Sequence, residues 1–220
     1  MPHSAATGAG IAGARATPPM DDAVVRAVAR WPNVPAVYGW LSLTARGDWR
    51  IKGERIANPA VASFISRNYG ADERGRWYFQ NGPQRVFVTL ELTPWIYRIE
   101  RSRRPRMRLS CHTGAPVKKC ESAWLDDRGN LLLVTEHGIG AVANRDLPAA
   151  LEWLRRADGG APDEAHVSQA MAAAARGADT GLVVLFGSAV LPVAGVGAAG
   201  IARRFGFDPA PRPAPGEPDC

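Results

Sequence analysis

Lysine is nearly missing from this chain: 3 residues stand against 24 arginines in a length of 220. Cysteine is almost as scarce. Cys111, Cys120 and Cys220 make an odd total of 3, which excludes a small disulfide-built scaffold and points to reduced thiols. A phosphate-binding loop is also lacking. "TEHGIGA" (Thr135–Ala141) offers Gly138 and Gly140 but has neither the third glycine nor the strand-helix-strand setting of a dinucleotide fingerprint. No cofactor is therefore expected. The first 19 residues contain no apolar run of signal-peptide length and are rich in Ala, Gly and Pro, the composition of a disordered tail. Met20, followed by Asp21-Asp22 and a helix-like run, is a plausible natural start.

One long uncharged stretch remains, "GLVVLFGSAVLPVAGVGAAGIA" (Gly181–Ala202). Its length allows a membrane span. Pro192 and five glycines make it a poor continuous helix, and Gly187-Ser188 falls where a hairpin would turn. A buried hairpin is the expectation, with no membrane span, in a cytoplasmic protein.

Hydrophobic residues make up 46% and charged residues 22%, enough for a real core in an ordinary soluble chain. The net charge of +6 suits an anionic ligand or a nucleic acid. Arginine bias alongside abundant Ala, Gly and Pro also fits a GC-rich genome, so charge alone decides nothing.

What the chain has in plenty is one refrain. "TARGDWRI", "DERGRWYF" and "DDRGNLLL" place Arg-Gly and one polar residue before an apolar run, at Gly47, Gly75 and Gly129. Glycine reaches positive φ without steric cost, as tight hairpin turns require. The refrain predicts that "YGWLSL" (Tyr38–Leu43) pairs with "DWRI" and "SAWL" (Ser122–Leu125) with "NLLLVT" (Asn130–Thr135). Asn81-Gly82 predicts a type I′ turn pairing "RWYFQ" with "RVFVTLEL" (Arg85–Leu92).

Helices are expected after some hairpins. In "ANPAVASFISRNYG", Asn58 caps, Pro59 opens and Gly70 stops a helix whose apolar face holds Val61, Phe64 and Ile65. "RDLPAALEWLRRADGG" reads as another, capped by Asp146 and stopped by Gly159 or Gly160, with Leu147, Leu151 and Leu154 as its stripe. "PDEAHVSQAMAAAARG" reads as a third, ending near Gly177. The pattern I-[SA]-R-x-[YF]-G-x-D occurs at Ile65–Asp72 and again at Ile201–Asp208. The expected fold class is α+β: repeated antiparallel β-hairpin plus helix units forming two related halves. Residues 20–100 would form the first half and 101–208 the second, with a disordered Pro-rich end at 209–220.

The segment "GDWRIKGERIANPAVASFISRNYGADERGRWYFQNGPQRVFVTLELTPW" resembles an uncharacterised proteobacterial family, a domain of unknown function. More distantly, over roughly Gly39–Trp95, the layout is similar to another uncharacterised bacterial family, in which a G-x-W and G-x-x-I stretch leads to a helix, a G-x-Y, an apolar strand and a proline. That second resemblance implies an α+β fold with repeated motifs and a signalling or ligand-binding role. It transfers no catalytic residues, and the Arg-rich middle of this chain departs from it.

The densest local feature is "PWIYRIERSRRPRMRL" (Pro94–Leu109), where Arg98, Arg101, Arg103, Arg104, Arg106 and Arg108 crowd beside Trp95 and Tyr97. As a hairpin it would be a basic ribbon able to grip phosphates and stack on bases. The alternative is a solvated hairpin whose charges protect a sheet edge. Cys111, His112, Cys120 and His137 are a conceivable zinc quartet, but adjacent strand residues face opposite ways and the spacing is long, so no metal site is expected. Among the aromatics, alternation buries Trp77 and Phe79 together and leaves Tyr78 on the other face, making Tyr78 and Gln80 the candidate ligand-pocket residues.

No reactive constellation stands out, so no catalytic residue is assigned. The expected function is a soluble, non-enzymatic binding or regulatory module. A nucleic-acid-associated protein using the Arg98–Arg108 hairpin and an enzyme with its site between the two halves are the alternatives.

Overall fold

The computed structural model describes residues 20–31, 34–100 and 108–216. Its fold is assembled from one five-residue turn used five times, at Thr44–Asp48, Asp72–Arg76, Cys111–Ala115, Asp126–Asn130 and Arg156–Gly160. In each, the first N–H donates to the fifth carbonyl and the fourth N–H donates back to the first, at 2.7–3.1 Å. The fourth residue is always glycine at positive φ, between 76° and 92° for Gly47, Gly75, Gly114, Gly129 and Gly159. This is a type I turn closed by a glycine bulge, and its twist suits antiparallel strands. The Arg-Gly refrain is the sequence trace of three of the five.

These turns join strands into two mixed sheets. The first contains β1 (Val37–Leu43), β2 (Trp49–Ile51), β3 (Glu54–Arg55), β4 (Tyr69–Ala71), β5 (Trp77–Asn81) and β6 (Gln84–Leu90), ordered β3-β2-β1-β6-β5-β4. The second begins with β7 (Trp95–Ile99), β8 (Leu109–Cys111), β9 (Pro116–Val117), β10 (Cys120–Asp126) and β11 (Leu131–Thr135). It continues with β12 (Gly138–Val142), β13 (Leu154–Arg156), β14 (Asp179–Phe186) and β15 (Ala189–Val196), in the order β13-β14-β15-β10-β11-β12-β7-β8-β9. The expected hairpins form in register: Leu43 faces Trp49, Leu125 faces Leu131, Phe79 faces Val86, and Phe186 faces Ala189 across Gly187-Ser188. At the β5–β6 turn the central pair is Gly82-Pro83 rather than Asn81-Gly82. Only Gly82 has positive φ, and proline cannot supply the second positive φ of a type I′ turn.

The expectation of repeated hairpin-and-helix units in two related halves is overturned. Strand outweighs helix, 40% against 26%, and the sheets curl into a half-barrel. They are closed by parallel pairings between residues far apart in sequence: β1 with β6, β7 with β12 and β10 with β15. Turn residues encode none of these. The helices are short: α1 (Asp22–Arg30), α2 (Pro59–Arg67), α3 (Leu147–Ala150), α4 (Glu164–Ala175) and α5 (Ile201–Phe205).

In α2, Asn58 Oδ1 accepts from the Ala60 and Val61 N–H groups, and Pro59 opens the helix as expected. It ends at Asn68, not Gly70, because Tyr69 is pulled into the core as the first residue of β4, its hydroxyl donating to Pro94 O at 2.9 Å. Asp146 makes no side-chain cap; its carboxylate accepts from Ile99 N–H instead. The segment after it divides into 3₁₀ and α turns, Leu151 stays exposed, and Leu154 enters strand β13. α4 follows the sequence closely, with Asp163 capping His166 N–H and Gly177 at φ 66° just beyond its end.

One continuous apolar core takes Leu43, Trp49 and Val88 from the first sheet and Ile96, Leu132 and Val142 from the second. Burial of each such side chain contributes about 1.5–3 kcal/mol. The chain end ties the sheets together. Phe207 enters the core, Asp208 pairs with Arg76, and Pro209 O accepts from Leu90 N–H. The two I-[SA]-R-x-[YF]-G-x-D segments both bury their isoleucine, but Gly70 lies in a strand while Gly206 closes a helix in the left-handed region. Among the described residues no helix is long and apolar enough to cross a membrane.

Candidate ligand site at the sheet junction

Strand β7 carries the junction of the sheets, and hydrogen bonding around it is dense. Thr93 Oγ1 donates to Trp95 O and accepts from Ala141 N–H. The Tyr97 hydroxyl donates to Gly138 O at 2.8 Å and pairs with Thr135 Oγ1 at 2.7 Å. Burial raises both the Tyr97 and Tyr69 hydroxyls above their ordinary pKa. Gly140 is required here, because an added Cβ would overlap the Tyr97 ring.

Against that background three donors stand out. Four buried side-chain nitrogens have no hydrogen-bond partner among the described residues, and three of them belong to this junction: Trp95 Nε1, Arg98 Nε and His112 Nε2. Leaving a buried donor unpaired costs about 1–3 kcal/mol, so each of the three calls for an explanation.

His112 is set by the turn it stands on. In Cys111–Ala115 it is the second residue, and its N–H donates to Ile96 O at 2.7 Å. Its ring turns inward, only 8% of the residue is exposed, and Nδ1 accepts from Ile96 N–H at 3.3 Å. Because Nδ1 is the acceptor, the ring proton sits on Nε2. Burial, reinforced by the nearby Arg98 charge, lowers its pKa to about 3. The ring is therefore a neutral N–H donor at physiological pH. Trp49, Tyr69 and Trp95 surround it, with ring centroids 5.3, 5.7 and 5.6 Å away.

Arg98 reaches the same place from the neighbouring strand position. Its Nη2 donates to Gly47 O at 2.8 Å, and it forms no ion pair among the described residues. Burial, reinforced by the Arg145 and Arg55 charges, lowers its pKa, while Asp48 and Asp146 oppose that shift. Gly47 lies between the two side chains: an added Cβ would stand 2.9 Å from His112 Cβ and 3.2 Å from Arg98 Nη2. Around β7, one guanidinium N–H and two neutral ring N–H groups thus lack an acceptor among the described residues.

The other candidate residues fall elsewhere. Arg101, Arg103, Arg104 and Arg106 lie outside the described residues. Arg98 and Arg108 are separated by the pairing of β7 with β8; Arg98 turns to Gly47, and Arg108 is exposed. Tyr78 and Gln80 share a strand face and are both buried. Tyr78 packs with Phe87 beside Tyr38, and Arg85 stacks on its ring. Gln80 Nε2 donates to Gly82 O. Cys111 and Cys120 are buried, which pushes both thiols up to about 12. His137 Nε2 lies 3.0 Å from Pro116 O. The sequence offers His112 only as a metal ligand or as a partner for a cysteine nucleophile, not as a buried donor. Its neighbour pattern "SCHTG" marks a bulged turn, but nothing local reveals that Ile96 occupies Nδ1.

The comparisons with known proteins concern family and fold. The DUF2944 model, described as "Protein of unknown function (DUF2946)", matches residues 20–212. No curated protein matches the chain. Two solved structures are similar, both of DUF1285 family proteins. The one from Silicibacter pomeroyi DSS-3 has a TM-score of 0.49 at 13% identity and covers 74% of this chain and 85% of its own. The one from Shewanella baltica OS155 has a TM-score of 0.38 at 17% identity and covers 49% of this chain and 86% of its own.

Proposed function

We propose, for a chain that belongs to the DUF2944 family of unknown function, that it is a non-enzymatic binding module whose ligand presents a hydrogen-bond acceptor to the sheet junction. The observation that carries this reading is the His112 ring: buried, neutral, its Nδ1 occupied by Ile96 N–H and its Nε2–H without a partner. Trp95 Nε1–H and Arg98 Nε–H add to the donor set. A holding role fits better than turnover. The nearby thiols are protonated at neutral pH and so are not poised as nucleophiles.

Native mass spectrometry of the protein isolated gently at low salt tests the reading. The expected result is a discrete small-molecule adduct on the wild-type chain that is lost from the doubly substituted Trp95→Phe, His112→Leu protein. An adduct retained by that variant, or a clean mass in both, goes against it.

A further inference from the structure

We propose that the β14–β15 hairpin and the arginines beside it form a surface, separate from the junction, that docks on an anionic lipid bilayer. The uncharged stretch Gly181–Ala202 supplies the apolar part. Residues opposite each other in an antiparallel ladder share a face. Val183 with Pro192 and Leu185 with Val190 therefore point one way. Leu182 with Val193 and Val184 with Leu191 point the other way, toward the side on which α4 lies against Gly195. The first face is open among the described residues: Val190 is 60% exposed, Pro192 is exposed, and Val183 and Leu185 are half-buried. Outward positions on a solvated hairpin are ordinarily polar, yet none of these four side chains carries a polar atom. A contiguous exposed apolar face of this kind marks an interaction surface.

Arginines border this face on both sides. Arg155 of β13 stands opposite Val183, and its Nη1 donates only to the main-chain carbonyls of Glu152 and Leu154. On the β10 side Trp124 pairs with Ala194, and a groove of about 820 Å³ is lined there by Trp124, Pro192, Ala194, Arg203 and Arg204. Arg204 lies over the Trp124 ring, 4.0 Å from its centroid. Asp179 lines the same groove, its Oδ1 accepting from Gly181 N–H, and Glu152 lies beside Arg155. Neither acid forms an ion pair with the three arginines among the described residues, and three cations against two acids leave the border positive. This charge selects the occupant. Guanidiniums and an indole at the margin of an apolar patch match a layer of anionic headgroups over acyl chains. A second copy packed on the same face about a two-fold axis would set these arginines toward their own mates. The first 19 residues offer Arg15 and, beyond Met1, one bulky aliphatic, Ile11, so they complement neither part of the surface. Because β14 and β15 stay paired with β13 and β10, the hairpin lies against the bilayer without crossing it.

The test is co-sedimentation of the full chain with phosphatidylcholine vesicles, with and without phosphatidylserine, beside sedimentation velocity of the lipid-free protein. Binding to the phosphatidylserine vesicles is expected to be at least about tenfold stronger than to phosphatidylcholine alone, and to weaken with salt. Val190→Asp, at an exposed position, should lower it by about tenfold or more. Arg203→Gln and Arg204→Gln should each lower it about fivefold and reduce the preference for phosphatidylserine. All three variants should unfold thermally near the wild type, since the changed side chains are exposed. No vesicle binding by the wild type, or equal binding to both compositions, overturns the proposal. So does full binding by Val190→Asp. A lipid-free dimer that Val190→Asp dissociates overturns it in favour of a second copy as the occupant.

Discussion

Two turns with the same backbone, Asp126–Asn130 and Cys111–Ala115, differ in what their side chains leave open. In the first, Asp126 is fully buried and its carboxylate is used up: Oδ1 accepts from Arg128 and Asn130 N–H, and Oδ2 from Asn130 Nδ2, at 2.7–2.9 Å. Asp72 repeats the arrangement with Arg74 and Arg76. In the second, the leading residue is Cys111, whose buried thiol makes no such cap. The next residue, His112, folds inward and ends with a free N–H. The contrast separates a turn made for stability from one that carries an unfulfilled donor.

The comparison is broken most forcefully at Asp126. Asp126→Ala should cost about 3 kcal/mol in denaturant unfolding, since three bonds to a buried carboxylate disappear together. The corresponding turn has no equivalent side chain to lose.

The next largest effect is on pH dependence. The folded His112 has a pKa lowered to about 3 from the 6.5 of an unperturbed histidine. Between those values the unfolded chain binds the extra proton, so its contribution is complete above pH 6.5 and declines as pH falls toward 3. The slope is about 1.4 kcal/mol per pH unit from this group. Carboxylates act in the same direction at lower pH, so the difference between wild type and His112→Leu isolates it. Relative to His112→Leu, the wild type should lose about 2–3 kcal/mol of stability between pH 7 and 4.5; parallel curves would mean that His112 is not held neutral.

Smaller still, Gly114→Ala and Gly129→Ala should each lose about 1 kcal/mol, because both turns place that residue at positive φ. Unequal losses in thermal unfolding would show that the two backbones are less alike than their bonding indicates. Smallest of all is His112→Leu at pH 7, expected within about 1 kcal/mol of wild type. It removes an unpaired donor at the same time as a long 3.3 Å bond from Ile96 N–H.

The sequence displayed the turns and concealed the closure. Gly47, Gly75 and Gly129 announce themselves through Arg-Gly, and Asn58 and Gly177 through capping chemistry, because each acts within five residues of its own position. Pairings such as Trp124 with Ala194, or Tyr97 with Val142, join residues with no common local signal, so the mixed topology was invisible. Gly114 and Gly159 make the same turn without the refrain, and Gly159 reads in sequence as a helix stop. The site was hidden for the same reason. Trp95, Arg98 and His112 were visible as residue types, yet their significance lies in which nitrogens lack partners, and that depends on Ile96, Gly47 and the neighbouring strands.

The Trp95 indole offers the most direct measurement, because the protein contains its own controls. Trp49 Nε1 donates to Ser66 Oγ and Trp124 Nε1 to Ser122 Oγ, each at 3.1 Å, whereas Trp95 Nε1 donates to nothing among the described residues. Between ¹H–¹⁵N spectra of the full chain isolated gently at low salt and of the same chain refolded free of small molecules, the Trp95 indole signal should move while those of Trp49 and Trp124 stay in place. Three indole signals that remain fixed together, or that drift together, would contradict a ligand site at the junction.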